Sequence, residues 1–540
     1  MDATGIAEMM AGRRLAQATN TYLAGLSRAP VLASRGQAAR LLRELKSAPG
    51  PKLVVGDTAW GDAVEVPLSE FTGTVGLTTG GMGAGKSFFA TLILRALIER
   101  LPASRSVGFG VLDAKGELFD RVLFLLGQRM ARLDASAREA LGKRIVIIDF
   151  SAREALSSYN ILARWDYTEP DFFVTSRLET LRDLLPAGEK VSLRGGTVLR
   201  HAIELLAEFG LPLPYVGSIL ADDALRARLL ARSRNPELRQ YFEVRLREEG
   251  KQTIAALRAR MESIFAADGV RLALSGATAP DFRTLQNEGA IVLVNCAGPT
   301  ITRGVRLLLQ GLVLADIRQA VFARPNDPPV SFLWVADEAQ NFFLTRQQQE
   351  YMADLLTMSR SFGSFFYFLC QNLSTAVPDS RMLELLYTNL RWALTMRGSP
   401  KDAQFLRGAL PVTGRLSKRE SSPFRERAYY STDEERAILF DGIAHLPDRQ
   451  GYLWFKARAS EALRITTRTP EIPRGEVFRL AVAALREDPG LGRRMERAEF
   501  ERQARQRASE WGGLDEAGRQ PVAGRSWEDA YAREREVWTA

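Results

Sequence analysis

Apolar and polar positions divide this chain into three kinds of stretch. Short runs with almost no polar residue recur at 107–113, 144–149, 290–296, 330–336, 363–371 and 389–396. Such runs, lacking in-and-out alternation, fit strands buried on both faces, and so a parallel sheet covered by helices. Residues 88–98, the segment around 306–309 and residues 347–360 lie between them and suit helices. The pattern predicts an α/β core. From 165 to 275 the spacing turns helical almost throughout, cut into short pieces by Pro186, Pro212, Pro214 and Pro236. An all-α insertion between two halves of the core is expected there. Residues 1–50 read as a moderately amphipathic helical arm ended by Gly50 and Pro51, and residues 52–68 as a short hairpin. Residues 451–456 read as an edge strand closing the core. The expected boundaries are an arm at 1–50, core at 51–164, insertion at 165–277, core at 278–470 and a charged helical, then mobile, tail at 471–540.

Composition narrows this only slightly. A chain of 540 residues that is 46% hydrophobic and 25% charged is a globular protein of several domain-sized units. No apolar run approaches the ~18–20 residues that span a bilayer, and the start lacks the apolar core of a signal peptide. A soluble, cytoplasmic chain is expected, with any contact to the inner face of the cell membrane made through a partner. Cys296 and Cys370 sit in strand-like runs and read as buried thiols. The two histidines, His201 and His445, are far apart, which excludes a His-rich metal site and a Ser-His-Asp hydrolase. A net charge of +9 permits nucleic-acid binding without requiring it. The basic stretch 411–431, with Arg415, Lys418, Arg419, Arg425 and Arg427, fits a solvated loop as well as a loop touching phosphates in a channel.

Chemistry enters with Gly80-Gly81-Met82-Gly83-Ala84-Gly85-Lys86-Ser87, which reads G-x-x-x-x-G-K-[ST] between a β-prone segment and a helix. Gly81, Gly83, Ala84 and Gly85 supply a backbone nest for phosphates. Lys86 supplies a charge for the β- and γ-phosphates, and Ser87 a hydroxyl ligand for Mg²⁺. ATP and Mg²⁺ are the expected cofactors. The run at 330–336 ends in Asp337-Glu338. Asp337 is expected to hold Mg²⁺ through water and Glu338 to polarise the attacking water. The plain alternative for that pair is an acidic helix cap. Gln371, ending the run at 363–371, is a candidate sensor of the γ-phosphate, or simply caps its strand.

Asp113-Ala114-Lys115-Gly116-Glu117-Leu118 resembles the D-P-K-G-E-L stretch of type IV secretion coupling proteins (TraG/TraD-like), the DNA-pumping ATPases of bacterial conjugation. Tyr159-Asn160-Ile161-Leu162 is similar to their Y-N-P-L, and the helical stretch 165–275 to their all-α domain. Ala114 and Ile161 stand where that family has proline, and the family's N-terminal membrane anchor has no counterpart here. The wider resemblance is to FtsK/HerA-type ring motors. It implies a RecA-like P-loop NTPase core, a homo-hexamer and a trans-acting arginine at Arg360. It also implies a DNA translocase serving conjugation, with relaxase or secretion-system proteins as partners. A DNA-acting ATPase of repair or defence, a secretion ATPase moving proteins and a nucleotide-dependent scaffold remain alternatives.

Overall fold

The computed structural model describes residues 29–103, 107–184, 192–371, 373–377, 379–412, 429–458 and 461–512. Most of the expected N-terminal arm, residues 413–428 of the basic stretch 411–431 and the chain beyond 512 lie outside the described residues. In chain order the strands are β1 (Lys52–Thr58), β2 (Ala63–Pro67), β3 (Gly76–Thr79), β4 (Val107–Asp113), β5 (Ile145–Asp149), β6 (Ala155–Leu156) and β7 (Ile291–Asn295). They continue with β8 (Ser331–Ala336), β9 (Ser364–Cys370), β10 (Trp392–Met396), β11 (Gln450–Phe455), β12 (Leu463–Thr467) and β13 (Met495–Glu496). The chain forms two compact units, one of residues 1–96 with 367–470, the other of 97–366 with 471–540.

In the smaller unit the strand order is β2-β1-β12-β11-β10-β3-β9. β3 lies between two parallel neighbours, with Gly76 opposite Trp392 and Thr79 opposite Cys370. The remaining pairs are antiparallel. The fully buried Trp392 ring organises this core, meeting Phe71 edge-on at 4.9 Å and Tyr367 at 4.8 Å. The Tyr367 hydroxyl is satisfied by Thr78 Oγ1 at 2.8 Å, as a buried phenol requires. One expectation is corrected here. Residues 451–456 do not form an edge, because β11 is flanked by β10 and β12. β12 escaped notice because only alternate side chains, Leu463, Ile465 and Thr467, are buried in a strand of five. The edge falls to β2, whose hairpin with β1 matches the expected one.

In the larger unit β8, β4, β7 and β5 run parallel in that order. All are buried over nearly their whole length, which is what their unbroken apolar sequences require. Among the described residues, every regular element from Pro170–Leu184 to Asp268–Leu274 is a helix. Asp222 and Asn235 cap two of its helices with side-chain oxygens. The Tyr159–Leu162 motif anchors this helical stretch. Tyr159 donates its hydroxyl proton to Asp316 at 2.6 Å, and the buried Arg177 pairs with the same carboxylate. Arg177 Nε also donates to the Ile161 carbonyl at 2.8 Å, and Asn160 Nδ2 to that of Gly210 at 3.0 Å. A desolvated guanidinium is tolerable only with such pairing.

The helices Glu476–Arg486 and Arg497–Gly512 belong to this unit. Phe478 packs on Phe124 at 5.4 Å, and β13 pairs with β6. The segment between is fixed by the buried Arg494, which donates to the carbonyls of Leu485, Asp488 and Leu491. Parallel strands alternating with helices, with antiparallel strands beyond β10, make an α/β fold. Both cysteines are buried free thiols. Among the described residues, no helix is long and apolar enough to cross a membrane.

Candidate functional site

In the smaller unit the loop after β3 hangs from the ends of the two strands beside it. Gly80 donates its N–H to the Cys370 carbonyl at 3.2 Å, and Gly81 donates to Arg397 at 2.6 Å. Gly83 (φ +76°) and Gly85 (φ +113°) take left-handed conformations that favour glycine and let the loop turn tightly. At Gly85 a Cβ would also press on Met396 and Arg449. Lys86 opens the helix Lys86–Ile98 and sends Nζ back over the loop to the carbonyls of Gly80 (2.8 Å) and Gly81 (3.0 Å). The ammonium is therefore already centred on the nest. Ser87 is half-buried one residue later, and Ala84 is buried beneath the loop. Gln371 follows Cys370, whose carbonyl receives Gly80, so it stands at the foot of this loop.

In the larger unit β4 and β8 end side by side, with Asp337 donating its N–H to the Leu112 carbonyl at 2.9 Å. Asp113 accepts from the N–H of Lys115 (2.7 Å) and of Phe119 (2.8 Å), capping the turn into Glu117–Ala131. Gly116 (φ +85°) makes that turn, with the Arg486 guanidinium 3.5 Å from where a Cβ would stand. Glu338 is held at φ +52°, a strained conformation for a residue with a Cβ. Its carboxylate forms an ion pair with Lys115 and accepts from Gln340 Nε2. The Asp-Ala-Lys-Gly-Glu motif thus has one part that builds a turn and one, Lys115, that reaches the candidate base.

Burial, reinforced by the charges of Asp113 and Glu338, pushes Asp337 up to about 7 from its ordinary 3.8. Burial raises Asp113 as well, against four backbone N–H groups that lower it. Between pH 3.8 and 7 folded Asp337 keeps a proton that the unfolded chain releases, so its contribution to stability falls as pH rises through that window. Asp337→Asn is expected to raise the thermal midpoint of ligand-free protein more at pH 8 than near pH 4. The scale is about 1.4 kcal/mol per pH unit between the two values. An equal shift at both pH values would refute this.

Arg360 lies in the 3-10 turn Ser359–Phe362, exposed, with no partner for its guanidinium among the described residues. Beneath the turn, the buried Arg324 donates to Gly363 O, Ser364 Oγ, Val330 O and Asn287 Oδ1. Gly363 O also receives Phe332 N–H, which places the turn at the amino end of β8. Asp337 and Glu338 lie at the carboxyl end of the same strand, about 20 Å away at 3.3 Å per residue. Asp337 and Glu338 are therefore brought together, and Arg360 is kept apart from them.

Sequence reading missed a further group. Asp149 accepts from Asn295 Nδ2 (2.8 Å) and from the Ser151 hydroxyl (2.7 Å), and lies 3.5 Å from Arg486, which also pairs with Asp120 at 2.8 Å. An aspartate and an asparagine ending adjacent strands are the one sequence signal that could have found it. Among the described residues, no three His, Cys, Asp or Glu side chains are grouped to hold a metal. A Mg²⁺ that keeps its waters and is held mainly by substrate phosphates needs no such group.

No protein-family model matches the sequence, and comparison with curated proteins found no relative. Among solved structures the chain is similar to the unbound bacterial conjugative coupling protein TrwBΔN70, at 13% identity, over 80% of this chain and 92% of that one, with a TM-score of 0.48. It is similar to TrwB in complex with a non-hydrolysable ATP analogue, at 14% identity over 80% and 92%, TM-score 0.49. It is also similar to VirB4 of Thermoanaerobacter pseudethanolicus, at 15% identity over 78% and 98%, TM-score 0.49.

Proposed function

We propose that this chain is a Mg²⁺-dependent ATPase working as a ring-forming DNA motor, delivering DNA or a relaxase–DNA substrate to a conjugative or type IV secretion apparatus. The preformed phosphate nest at 80–87, with the Lys86 ammonium already held over it, carries the nucleotide part of this reading. Its residues bind and orient the phosphates, and Ser87 and Asp337 hold the cation. Mg²⁺ offsets charge on the phosphates when bound. Glu338 accepts the proton of the attacking water, Gln371 reports the γ-phosphate, and Arg360 acts on a neighbouring subunit's nucleotide. A homo-hexamer follows from that last role by analogy with ring motors. The choice of DNA as client rests on the resemblance at 113–118 and 159–162 and on the net charge of +9.

ATP turnover by purified protein, with and without single- and double-stranded DNA across rising salt, tests both parts. DNA stimulation that fades steeply with salt is expected, because each neutralised phosphate releases counterions. Turnover unaffected by any DNA would favour a protein client instead. Turnover that survives in Lys86→Ala would sink the nucleotide site.

A further inference from the structure

An open cleft of about 410 Å³ lies within the larger unit, walled by the residues that follow three parallel strands. Ala114 and Lys115 come from the end of β4, Ser151 from the end of β5 and Gly298 from beyond β7. Arg306, from the helix Arg303–Phe322, and Arg486 complete it. Carboxyl ends of parallel strands are where open α/β sheets bind ligands, and three cations in one mouth select an anion. Their existing partners differ. Arg486 is occupied by Asp120, Asp149 and Ser151. Arg306 has a buried Nε with no hydrogen-bond partner among the described residues, a donor that a ligand would satisfy. Lys115 faces two ways, lining the cleft while its ammonium pairs with Glu338.

We propose that this cleft binds a phosphate group, and that its occupation draws Lys115 away from Glu338. The inference rests on reading Glu338 as the residue that activates water. With Lys115 on one oxygen and Gln340 on the other, each oxygen of Glu338 already faces a donor, and the carboxylate is poorly placed to take a proton from water. A phosphate between Arg306 and Lys115 offers the ammonium a second anionic partner, held also by Arg306, and frees one carboxylate oxygen. The cleft is thus an anion-sensitive restraint on hydrolysis. The phosphate can be a phosphodiester of nucleic acid or free inorganic phosphate, which share this chemistry.

Full-length wild type, Lys115→Met, Lys115→Gln and Arg306→Gln test it, with binding of inorganic phosphate and of a short DNA oligomer measured by calorimetry beside ATP turnover. Lys115→Met and Lys115→Gln should turn over ATP severalfold faster than unstimulated wild type and no longer respond to the anion. Arg306→Gln should weaken anion binding and raise the concentration giving half-maximal stimulation by about tenfold or more, the loss of one charge-assisted hydrogen bond. Stimulation by inorganic phosphate alone identifies the free ion, and stimulation by DNA alone identifies the phosphodiester. The proposal is overturned if neither probe binds, or if both Lys115 variants are no faster than wild type while Arg306→Gln responds at wild-type concentrations. If Glu338→Gln turns over normally, the reading of Glu338 itself fails. A dead Glu338→Gln beside unaccelerated Lys115 variants rejects the restraint alone.

Discussion

Arg360→Ala is expected to lower ATP turnover by about 10³–10⁵-fold, the usual consequence of removing an arginine that stabilises charge developing on a transferring phosphoryl group. Nucleotide affinity should change far less. The geometry gives the prediction its form. Arg360 is exposed and unpaired among the described residues, yet its turn is fixed from below by the buried Arg324 and closed by the Gly363 N–H to Arg360 O bond of 3.0 Å. Burial lowers Arg324 to about 10, which leaves it charged at neutral pH and able to keep all four of its bonds. An immobile backbone carrying a free guanidinium suits a contact made outside the subunit. Arg360 also stands at the amino end of β8, with Glu338 beyond its carboxyl end. A charge about 20 Å from the candidate base cannot assist the same water. The arginine must act in trans or not at all. Mixing Arg360→Ala with Glu338→Gln, each inactive alone, should therefore restore part of the turnover. Wild-type turnover by Arg360→Ala would show it to be a surface arginine, and mixtures as inactive as their components would rule out action in trans.

Much of the fold was legible because strands buried on both faces leave unbroken apolar runs. β4, β5, β7, β8 and β9 were placed to within a residue or two for that reason. β12 was not, since a strand half turned to solvent writes only three buried positions into five residues. The phosphate loop was legible because its chemistry is local: eight consecutive residues carry the nest, the ammonium and the hydroxyl. The cluster beyond β4 was not, because its contacts join distant segments. Lys115 meets Glu338, and Arg486 meets Asp120 and Asp149. No spacing rule links such pairs. Arg486 was especially well hidden, lying in a region whose Arg and Glu content reads as a charged helical, then mobile, tail. The Tyr159–Leu162 motif is legible by resemblance, but its physical meaning lies in the distant Asp316 carboxylate, which Tyr159 and Arg177 share.

Glu338→Gln should abolish steady-state turnover, by at least the ~10²–10⁴-fold that a positioned general base contributes, while ATP still binds. The substitution is nearly isosteric. The Glu338 backbone N–H keeps its 2.9 Å bond to Asp337, and the φ of +52° is set by the chain. What goes is the negative charge that can take a proton, along with the ion pair to Lys115. The strained backbone is itself informative. A left-handed glutamate costs of order 1–3 kcal/mol relative to glycine-like ease, and persists only where the surroundings over-determine it. Here the Asp337–Leu112 and Asn341–Glu338 backbone bonds on either side do so. If Glu338 were only a helix cap, Glu338→Gly would relieve that strain, raise the thermal midpoint and leave turnover intact. If it is the base, Glu338→Gly should be more stable and inactive. Measuring turnover and the thermal midpoint on both variants separates the two roles, because the midpoint of Glu338→Gly rises in either case while turnover is lost for a base and kept for a cap.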